Sequence, residues 1–270
     1  MTHIVVEVCI DSVESAMNAI RGGANRLELC GNLGLGGGTT PSLGLLKTVY
    51  KAVESFKVPI MVMIRCRTGD FFYSESEMQV MLEDIRIFRE CGVKGFVFGV
   101  LTGEGRVDVA RTKRLVDASF PAQVCFHRAF DMTRDAMEAF NDIKKIGGIS
   151  RILTSGQGFS VSQSLQVLAS LLEMTGQTQD QLSSPIVMPG SGIDQDTIGH
   201  ILVTLLPLGL AEIHLSAGSW VEGGMTFRKD GMRMGVGGKG DWGIWQTSEN
   251  VVREVINQVE SNRARGQATI

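Results

Sequence analysis

Residues 4 to 9 read Ile-Val-Val-Glu-Val-Cys, and residues 25 to 30 read Asn-Arg-Leu-Glu-Leu-Cys. Short apolar runs of this kind are typical of buried β-strands, and each closes with a glutamate two residues before a cysteine. The connection between them carries apolar residues at helical spacing and ends at Gly22 and Gly23. A strand, a helix and a second strand in this order predict two parallel neighbours in one sheet.

The glutamates and cysteines of these two strands are predicted to face the interior of the protein together. Side chains two residues apart on a strand lie on the same face, so Glu7 shares a face with Cys9, and Glu28 shares one with Cys30. A charge inside a sheet core is costly unless it is paired or hydrogen-bonded. We therefore expect a functional site here, with Arg65 on the third strand as the partner of Glu28.

The alternation of strand and helix patterns continues along the chain without a long linker. Eight strand–helix units in 270 residues predict a single α/β domain over residues 1–270, a (β/α)8 TIM-type barrel. The alternative is an open, doubly wound sheet. That fold is expected to carry a glycine-rich dinucleotide fingerprint after its first strand, where residues 11–13 read Asp-Ser-Val. The pattern therefore favours the barrel.

The end of the chain departs from this regular alternation. Residues 223–247 are predicted to form a long loop after strand eight, because the glycine-rich part, residues 223–243, shows neither the helical nor the strand period. We expect that part to be mobile. Residues 248–262 predict the last helix.

Bulk composition excludes several classes of protein. The net charge is −3 and no run of five like charges occurs, so neither nucleic acid nor an anionic membrane surface is an expected partner. The longest apolar run, residues 201–211, is too short to span a bilayer. Strand pattern begins almost at Met1, so no signal peptide is expected. Five cysteines without a CxxC pair then favour reduced thiols in the cytoplasm and exclude a zinc ribbon on spacing.

Polar residues are concentrated at the predicted carboxyl ends of the strands, where barrel enzymes place their sites. Two neighbouring thiolates, Cys9 and Cys30, are soft ligands that favour Cu(I) over hard cations. Carboxylates, histidines and arginines in the same place suit acid–base chemistry on an anionic substrate. In that second interpretation the candidate catalytic residues are Glu7, Glu28, Arg65, His127 and Arg128. His214 also closes a strand, and Glu212 lies two residues deeper.

Two glycine-containing turns are candidates for holding a phosphate. Gly190, Ser191 and Gly192 follow the seventh strand, and Ser216 and Gly218 follow the eighth. Barrel enzymes often bind phosphate on backbone N–H groups after these strands.

Structural explanations exist for the same residues. Short glycine turns also serve as tight connections, and the glutamates alone could belong to an interior ion network. A cysteine in a strand is most often a small buried hydrophobe, which is our expectation for Cys66, Cys91 and Cys125.

Several short motifs together resemble the CutC family of copper-homeostasis proteins. They are Glu7-Val8-Cys9, Leu27-Glu28-Leu29-Cys30, Gly37-Gly38-Thr39-Thr40-Pro41-Ser42, Gly69-Asp70-Phe71, Phe126-His127-Arg128-Ala129-Phe130-Asp131, Leu153-Thr154-Ser155-Gly156 and Met225-Thr226-Phe227-Arg228. The resemblance implies a cytoplasmic TIM-type barrel that forms homo-oligomers, dimers or tetramers, with Cys9 and Cys30 proposed to hold Cu(I). No reaction is firmly attached to the family.

The chain departs from the family pattern in two places. Residues 65–71 read Arg-Cys-Arg-Thr-Gly-Asp-Phe where the family has Arg-Pro-Arg-Gly-Gly-Asp-Phe, which adds a thiol, Cys66, at the rim. Residues 235–247 do not match, so the resemblance implies nothing there. Two hypotheses follow: a cytosolic Cu(I)-binding protein, or an enzyme acting on a small phosphorylated or carboxylated metabolite at the same barrel mouth.

Overall fold

Eight parallel strands alternate with helices around a nearly closed barrel, as the pattern predicts. The computed structural model describes residues 4–176 and 184–267, and side chains as far as residue 262. The barrel strands are β1 (Val5–Ile10), β2 (Arg26–Leu29), β3 (Ile60–Met63), β4 (Gly95–Phe98), β5 (Gln123–Phe126), β6 (Arg151–Thr154), β7 (Ile186–Pro189) and β8 (Glu212–Leu215). The helices are α1 (Val13–Arg21), α2 (Leu43–Val53), α3 (Glu75–Glu90), α4 (Val109–Ser119), α5 (Ala136–Ile146), α6 (Leu165–Gly176), α7 (Ile198–Leu205) and α8 (Glu249–Gln267).

The helices begin where the sequence provides caps and bury one apolar face. Ser74 and Glu77 form the predicted capping box at the start of α3, in which each side chain accepts a hydrogen bond from the other residue's backbone. The predicted stripe on this helix packs into the core through Met78, Met81, Ile85 and Phe88. No helix in the described parts of the chain is long and apolar enough to cross a membrane.

The strands pair in the order β7-β6-β5-β4-β3-β2-β1-β8, and β7 meets β8 through a parallel bridge between Gly190 and His214. A side chain at position 190 would lie 3.1 Å from the Cβ of His214 and 2.6 Å from the Cδ1 of Leu153. Only glycine therefore lets the last two strands approach. Gly190, predicted to be part of a phosphate site, lies where the barrel closes.

The interior of the barrel changes character from one end to the other. Charged side chains at the amino ends of the strands are Arg26, Arg151 and Glu212. Met61, Val97, Cys125, Leu153 and Met188 form a separate apolar cluster. Near the carboxyl ends, Cys9, Cys30 and Met63 form another.

The predicted loop over residues 223–247 is not one long loop. Two strands, β9 (Gly218–Glu222) and β10 (Gly243–Thr247), pair as an antiparallel hairpin, so the predicted loop is confined to residues 223–242. The rings of Trp220 and Trp245 pack edge to face across this hairpin with centroids 5.5 Å apart. The last helix begins at Glu249, one residue after the predicted start, and runs to Gln267 rather than to residue 262.

Candidate functional site

A cavity of about 620 Å³ opens at the carboxyl ends of the barrel strands. Most of the predicted site residues line it: Cys9, Glu28, Arg65, His127, Arg128, Ser191, Gly192, Ser216 and Gly218. Three do not, namely Glu7, Cys30 and Gly190. His214 and Trp245 complete the wall on the side of β8 and the hairpin. The structure thus brings together the rim that the strand ends predicted, with Glu7 and Cys30 behind it.

The two strand-end cysteines are close, but they are not register partners. Cys9 lies beside Glu28 in the pairing of β1 with β2, so Cys30 lies two residues further along. Cys9, Cys30 and Met63 nevertheless pack in one cluster, with Leu33 against it. The turn at Gly38 covers Cys30, since a Cβ there would lie 3.1 Å from its sulfur. Two thiols and a thioether therefore lie together in a buried site with little access to water.

Burial decides the protonation of these thiols. It raises the pKa of Cys9 and, more strongly, that of Cys30, where the charge of Glu28 adds to the effect. Both side chains are therefore thiols at neutral pH, and a metal that binds them must displace protons. Cys125 is buried as expected, whereas Cys91, at the end of α3, is exposed and Cys66 is half-buried, which corrects the expectation for both.

His214 is the centre of a group of potential ligands. Its Nδ1 lies 2.8 Å from Oε1 of Glu7, and its Nε2 lies 3.6 Å from Oε2 of Glu28. In the described residues, Cys9, Glu28 and His214 each offer one donor atom, and these atoms all lie within 4.8 Å of one another. All three side chains are buried, yet all three line the cavity.

The charges around His214 shift one another strongly. Burial, reinforced by the charge of Glu7, raises the pKa of Glu28 to about 7. Burial alone would raise the pKa of Glu7 too, but His214 and Arg26 outweigh it and lower that pKa to about 2. Burial opposes a charge on His214, yet Cys9, Glu7 and Glu28 together raise its pKa well above the ordinary value. One carboxyl is thus firmly ionised, and its neighbour titrates near neutrality.

Below this group lies an ion network of which the sequence predicted only a part. Arg26 donates to both Glu7 and Glu212, and Arg151 Nε lies 3.0 Å from Glu212 Oε2. All four side chains are almost fully buried. The interior position of Arg26 could have been predicted from the two-residue period of a strand, because Arg26 lies two residues before Glu28 on the same face of β2. The network holds Glu7 ionised beneath His214.

The expected pair of Arg65 with Glu28 is not formed. The guanidinium of Arg65 instead donates to backbone carbonyls of the glycine turns, at 2.9 Å from Gly36 and Gly38 and 3.1 Å from Gly69. The carbonyl oxygens of these turns point toward Arg65. They occupy the guanidinium N–H groups that a carboxylate would otherwise accept from. Arg65 fixes the turns that form one side of the cavity.

His127 presents a hydrogen-bond donor to the cavity. The backbone N–H of Ala129 donates to its Nδ1 at 3.2 Å, and burial together with the charge of Arg65 lowers the pKa of His127 to about 3. A neutral imidazole whose Nδ1 accepts must carry its proton on Nε2. Among the described residues, that Nε2 has no hydrogen-bond partner.

Arg128 is held at the rim by Asp131. Its Nε donates to Asp131 Oδ2 at 2.7 Å, and its side chain remains 44% exposed. Asp131 also accepts from the backbone N–H groups of Ser155 and Gln157. The carboxylate thus ties the loop after β5 to the loop after β6 and orients a cation beside the cavity.

Unpaired polar atoms are concentrated in the wall of this cavity. Of the buried side-chain polar atoms without a partner in the described parts of the chain, most belong to residues that line it: Glu28 Oε1, Arg65 Nε, His127 Nε2, Gln195 Oε1 and Trp245 Nε1. Buried polar groups normally have partners, so a cluster of exceptions indicates a place where a ligand supplies them.

These features define a TIM-type barrel protein whose carboxyl-end cavity combines thiols, a histidine, carboxylates and cations. The model of the CutC family matches residues 4–219. Copper homeostasis protein cutC homologs from Mus musculus and Homo sapiens are 44% and 43% identical over 231 residues, covering 86% of this chain and 80% of each relative. A homolog from Dictyostelium discoideum is 38% identical, covering 86% of this chain and 88% of the relative. The chain belongs to the CutC family, which is named for copper homeostasis.

Solved structures give the same fold. The CutC protein of Streptococcus agalactiae superposes with a TM-score of 0.70 at 26% identity, covering 79% of this chain and 98% of that one. A Rubisco-like protein from Rhodopseudomonas palustris has a TM-score of 0.57 at 14% identity. The match covers 96% of this chain and 64% of the Rubisco-like chain. The second likeness concerns the barrel architecture alone.

Proposed function

We propose that this protein acts in copper homeostasis by binding Cu(I) as cargo at Cys9 and Cys30. The packing of both thiols with Met63 in one buried cluster is the observation that carries the proposal. Thiolate and thioether sulfurs are the donors that Cu(I) prefers. Leu33 packs against the cluster, which limits access of water to the sulfurs. The donor set therefore suits a soft monovalent ion.

An anaerobic Cu(I) titration against a competing chelator tests this site. We expect the wild-type protein to bind one Cu(I), and the double variant Cys9→Ser/Cys30→Ser to lose more than about 100-fold in affinity, since even changes to groups around metal ligands cost 10–100-fold. Cys91→Ser is the matched control, because Cys91 is a free, exposed cysteine that does not belong to the cluster. An unchanged affinity and stoichiometry in the double variant would refute the proposal.

A second candidate function is an enzyme acting on a small phosphorylated or carboxylated metabolite in the same cavity. The cluster of unpaired polar atoms in its wall favours this. Glu28, with its pKa raised to about 7, suits a general base. The neutral His127 suits a hydrogen-bond donor to a substrate oxygen through its Nε2–H. Arg128 supplies a partly exposed cation for the anion. Glu7, the other candidate acid or base, lies behind the wall and contacts His214, which lines the cavity.

Binding of phosphorylated and carboxylated metabolites can be followed by tryptophan fluorescence, because Trp245 lines the cavity with its Nε1 unpaired. For a metabolite that binds, Arg128→Gln should weaken binding by about 10–100-fold, the effect of losing a charge-assisted hydrogen bond. Arg134→Gln is the control, since that exposed arginine pairs with Glu138 on α5. Equal binding by both variants, or no binding by any metabolite of a broad panel, would remove the enzyme hypothesis.

Two further proposals accompany the first. The protein acts in the cytoplasm, and its five cysteines, all free in the structure, support a reducing compartment. It also assembles with copies of itself as a dimer or tetramer. The exposed apolar side chains of the loop between β9 and β10, such as Phe227 and Met234, support such an assembly.

A further inference from the structure

The group of Cys9, Glu28 and His214 differs from a two-cysteine copper site. Its members come from three strands that are neighbours in the barrel, in the order β2, β1 and β8. They offer one sulfur, one oxygen and one nitrogen, all within 4.8 Å of one another. Mixed donors of this kind are typical of Zn²⁺, whereas Cu(I) favours sulfur alone.

The orientation of His214 is the one that a metal ligand needs. Its Nδ1 is engaged at 2.8 Å by Glu7 Oε1, and this leaves Nε2 directed toward Glu28. In metal sites, a ligating histidine almost always donates its other ring nitrogen to a carboxylate or carbonyl, which fixes the ring and its tautomer. Glu7 is itself fixed by Arg26. The supporting contacts of a metal-binding histidine are thus already in place.

Glu28 supplies a second, independent indication. Its side chain is 2% exposed, and its Oε1 has no hydrogen-bond partner among the described residues. A buried carboxylate oxygen without a partner is costly unless a ligand reaches it. Oε2 faces His214 and the sulfur of Cys9 is nearby, so one cation can contact all three groups.

We propose that Cys9, Glu28 and His214 bind a divalent cation, Zn²⁺, with its fourth coordination position open to the cavity. Three protein ligands and one open position are the arrangement of catalytic rather than structural zinc. All three ligands line the cavity, so the open position faces the space beside Arg128 and His127. A small anionic ligand would be bound there by the metal and by Arg128 together.

Little movement is required to form this site. Donor atoms on a tetrahedral zinc ion lie about 3–4 Å apart, given bonds of 2.0–2.3 Å. From a separation of at most 4.8 Å, the three donors must therefore approach one another by at most about 1–2 Å. Cys30 takes no part, so the proposal does not depend on the Cu(I) site. Both ions need Cys9, however, and Zn²⁺ and Cu(I) should compete.

A Zn²⁺ titration against a competing chelator under reducing conditions tests the site. The wild-type protein should bind one Zn²⁺, and His214→Ala and Cys9→Ser should each lose more than about 100-fold in affinity. Cys30→Ser should retain Zn²⁺ affinity within about 3-fold, although it abolishes Cu(I) binding if that proposal holds. Because His214→Ala could fail to fold, X-ray absorption of the zinc-loaded wild-type protein provides a second measurement. One sulfur together with nitrogen and oxygen neighbours is expected.

Three results would overturn the zinc site. They are absence of Zn²⁺ binding by the wild-type protein, two sulfurs bound to the zinc, and equal loss of Zn²⁺ affinity in Cys30→Ser and Cys9→Ser. The Cu(I) proposal fails on different data, namely an unchanged Cu(I) affinity in Cys9→Ser/Cys30→Ser. The two failures are therefore distinguishable.

Discussion

Replacing Arg26 by methionine is expected to lower the free energy of unfolding by about 3 kcal/mol at pH 7, near the lower end of the range for breaking a buried ion pair. Arg26 donates to both Glu7 and Glu212, and all three side chains are at most 7% exposed. Methionine fills a similar volume but leaves both carboxylates with one cation fewer. The loss stays at the lower end because His214 still contacts Glu7, and Arg151 still contacts Glu212.

The effect of Arg26→Met should depend on pH in a defined direction. The pKa of Glu7 is lowered from 4.5 to about 2 in the folded protein. A carboxylate whose pKa is lower in the folded state contributes stability that is complete above its unfolded pKa and is lost as the pH falls through the folded value. Without Arg26, less of this contribution remains. The difference between wild type and variant should thus be largest at pH 7 and should shrink between about pH 4.5 and pH 2.

Urea unfolding followed by circular dichroism at several pH values measures this difference. Arg86→Met is the matched control, because Arg86 also pairs with two glutamates, Glu83 and Glu90, but is 55% exposed. Exposed pairs contribute little, so the control should lie within about 0.5 kcal/mol of wild type. If Arg26→Met were no more destabilised than Arg86→Met, the network would be solvated and Glu7 would not be held ionised beneath His214.

The direction of the interior side chains could be predicted from the sequence, because it depends only on the two-residue period of a strand. Glu7 and Glu28 lie inside the barrel, as expected, and so does Arg26, which had not been predicted to do so. The same two-residue period predicted that the glutamate and the cysteine of each strand share a face. Strand-end histidines were visible as well, and His214 proved to lie at the centre of the ligand group.

Strand register could not be predicted in this way. Equivalent motifs suggest equivalent heights, yet the stagger of a barrel sets Cys9 beside Glu28 and moves Cys30 further along. That stagger depends on how all eight strands tilt and close, which no single motif encodes. It is also the reason why Cys9, Glu28 and His214 meet, while Cys30 lies under the turn at Gly38.

Contacts with loops were the least predictable part of the site. Arg65 pairs with backbone carbonyls, and backbone groups have no sequence signature that reveals where they point. The hairpin was obscured by its glycines, although Trp220 and Trp245 lie at directly paired positions. Aromatic residues at both ends of a glycine-rich segment were the signal that could have indicated it. Without the hairpin, the wall formed by Trp245 could not be foreseen.

Replacing Asp131 by alanine is expected to destabilise the protein by about 2–4 kcal/mol, since each buried donor left without an acceptor costs about 1–3 kcal/mol. Asp131 is 5% exposed and accepts from Ser155 N, Gln157 N, Thr154 Oγ1 and Arg128 Nε. Asp131→Asn should cost less, about 1–2 kcal/mol. An amide oxygen can replace Oδ1, which serves the loop after β6, while the amide nitrogen would face Arg128 Nε and release that guanidinium.

Urea unfolding at pH 7 separates this role from ordinary helix capping. Asp135→Ala is the matched control, because Asp135 caps α5 four residues away and accepts from Glu138 N. Loss of an N-cap costs about 1 kcal/mol, less than is expected for Asp131→Ala. Equal destabilisation by the two alanine variants would show that Asp131 does not join the loops after β5 and β6. In that event another contact would hold Arg128 beside the cavity. Asp131→Asn should then leave the anion affinity of the cavity unchanged.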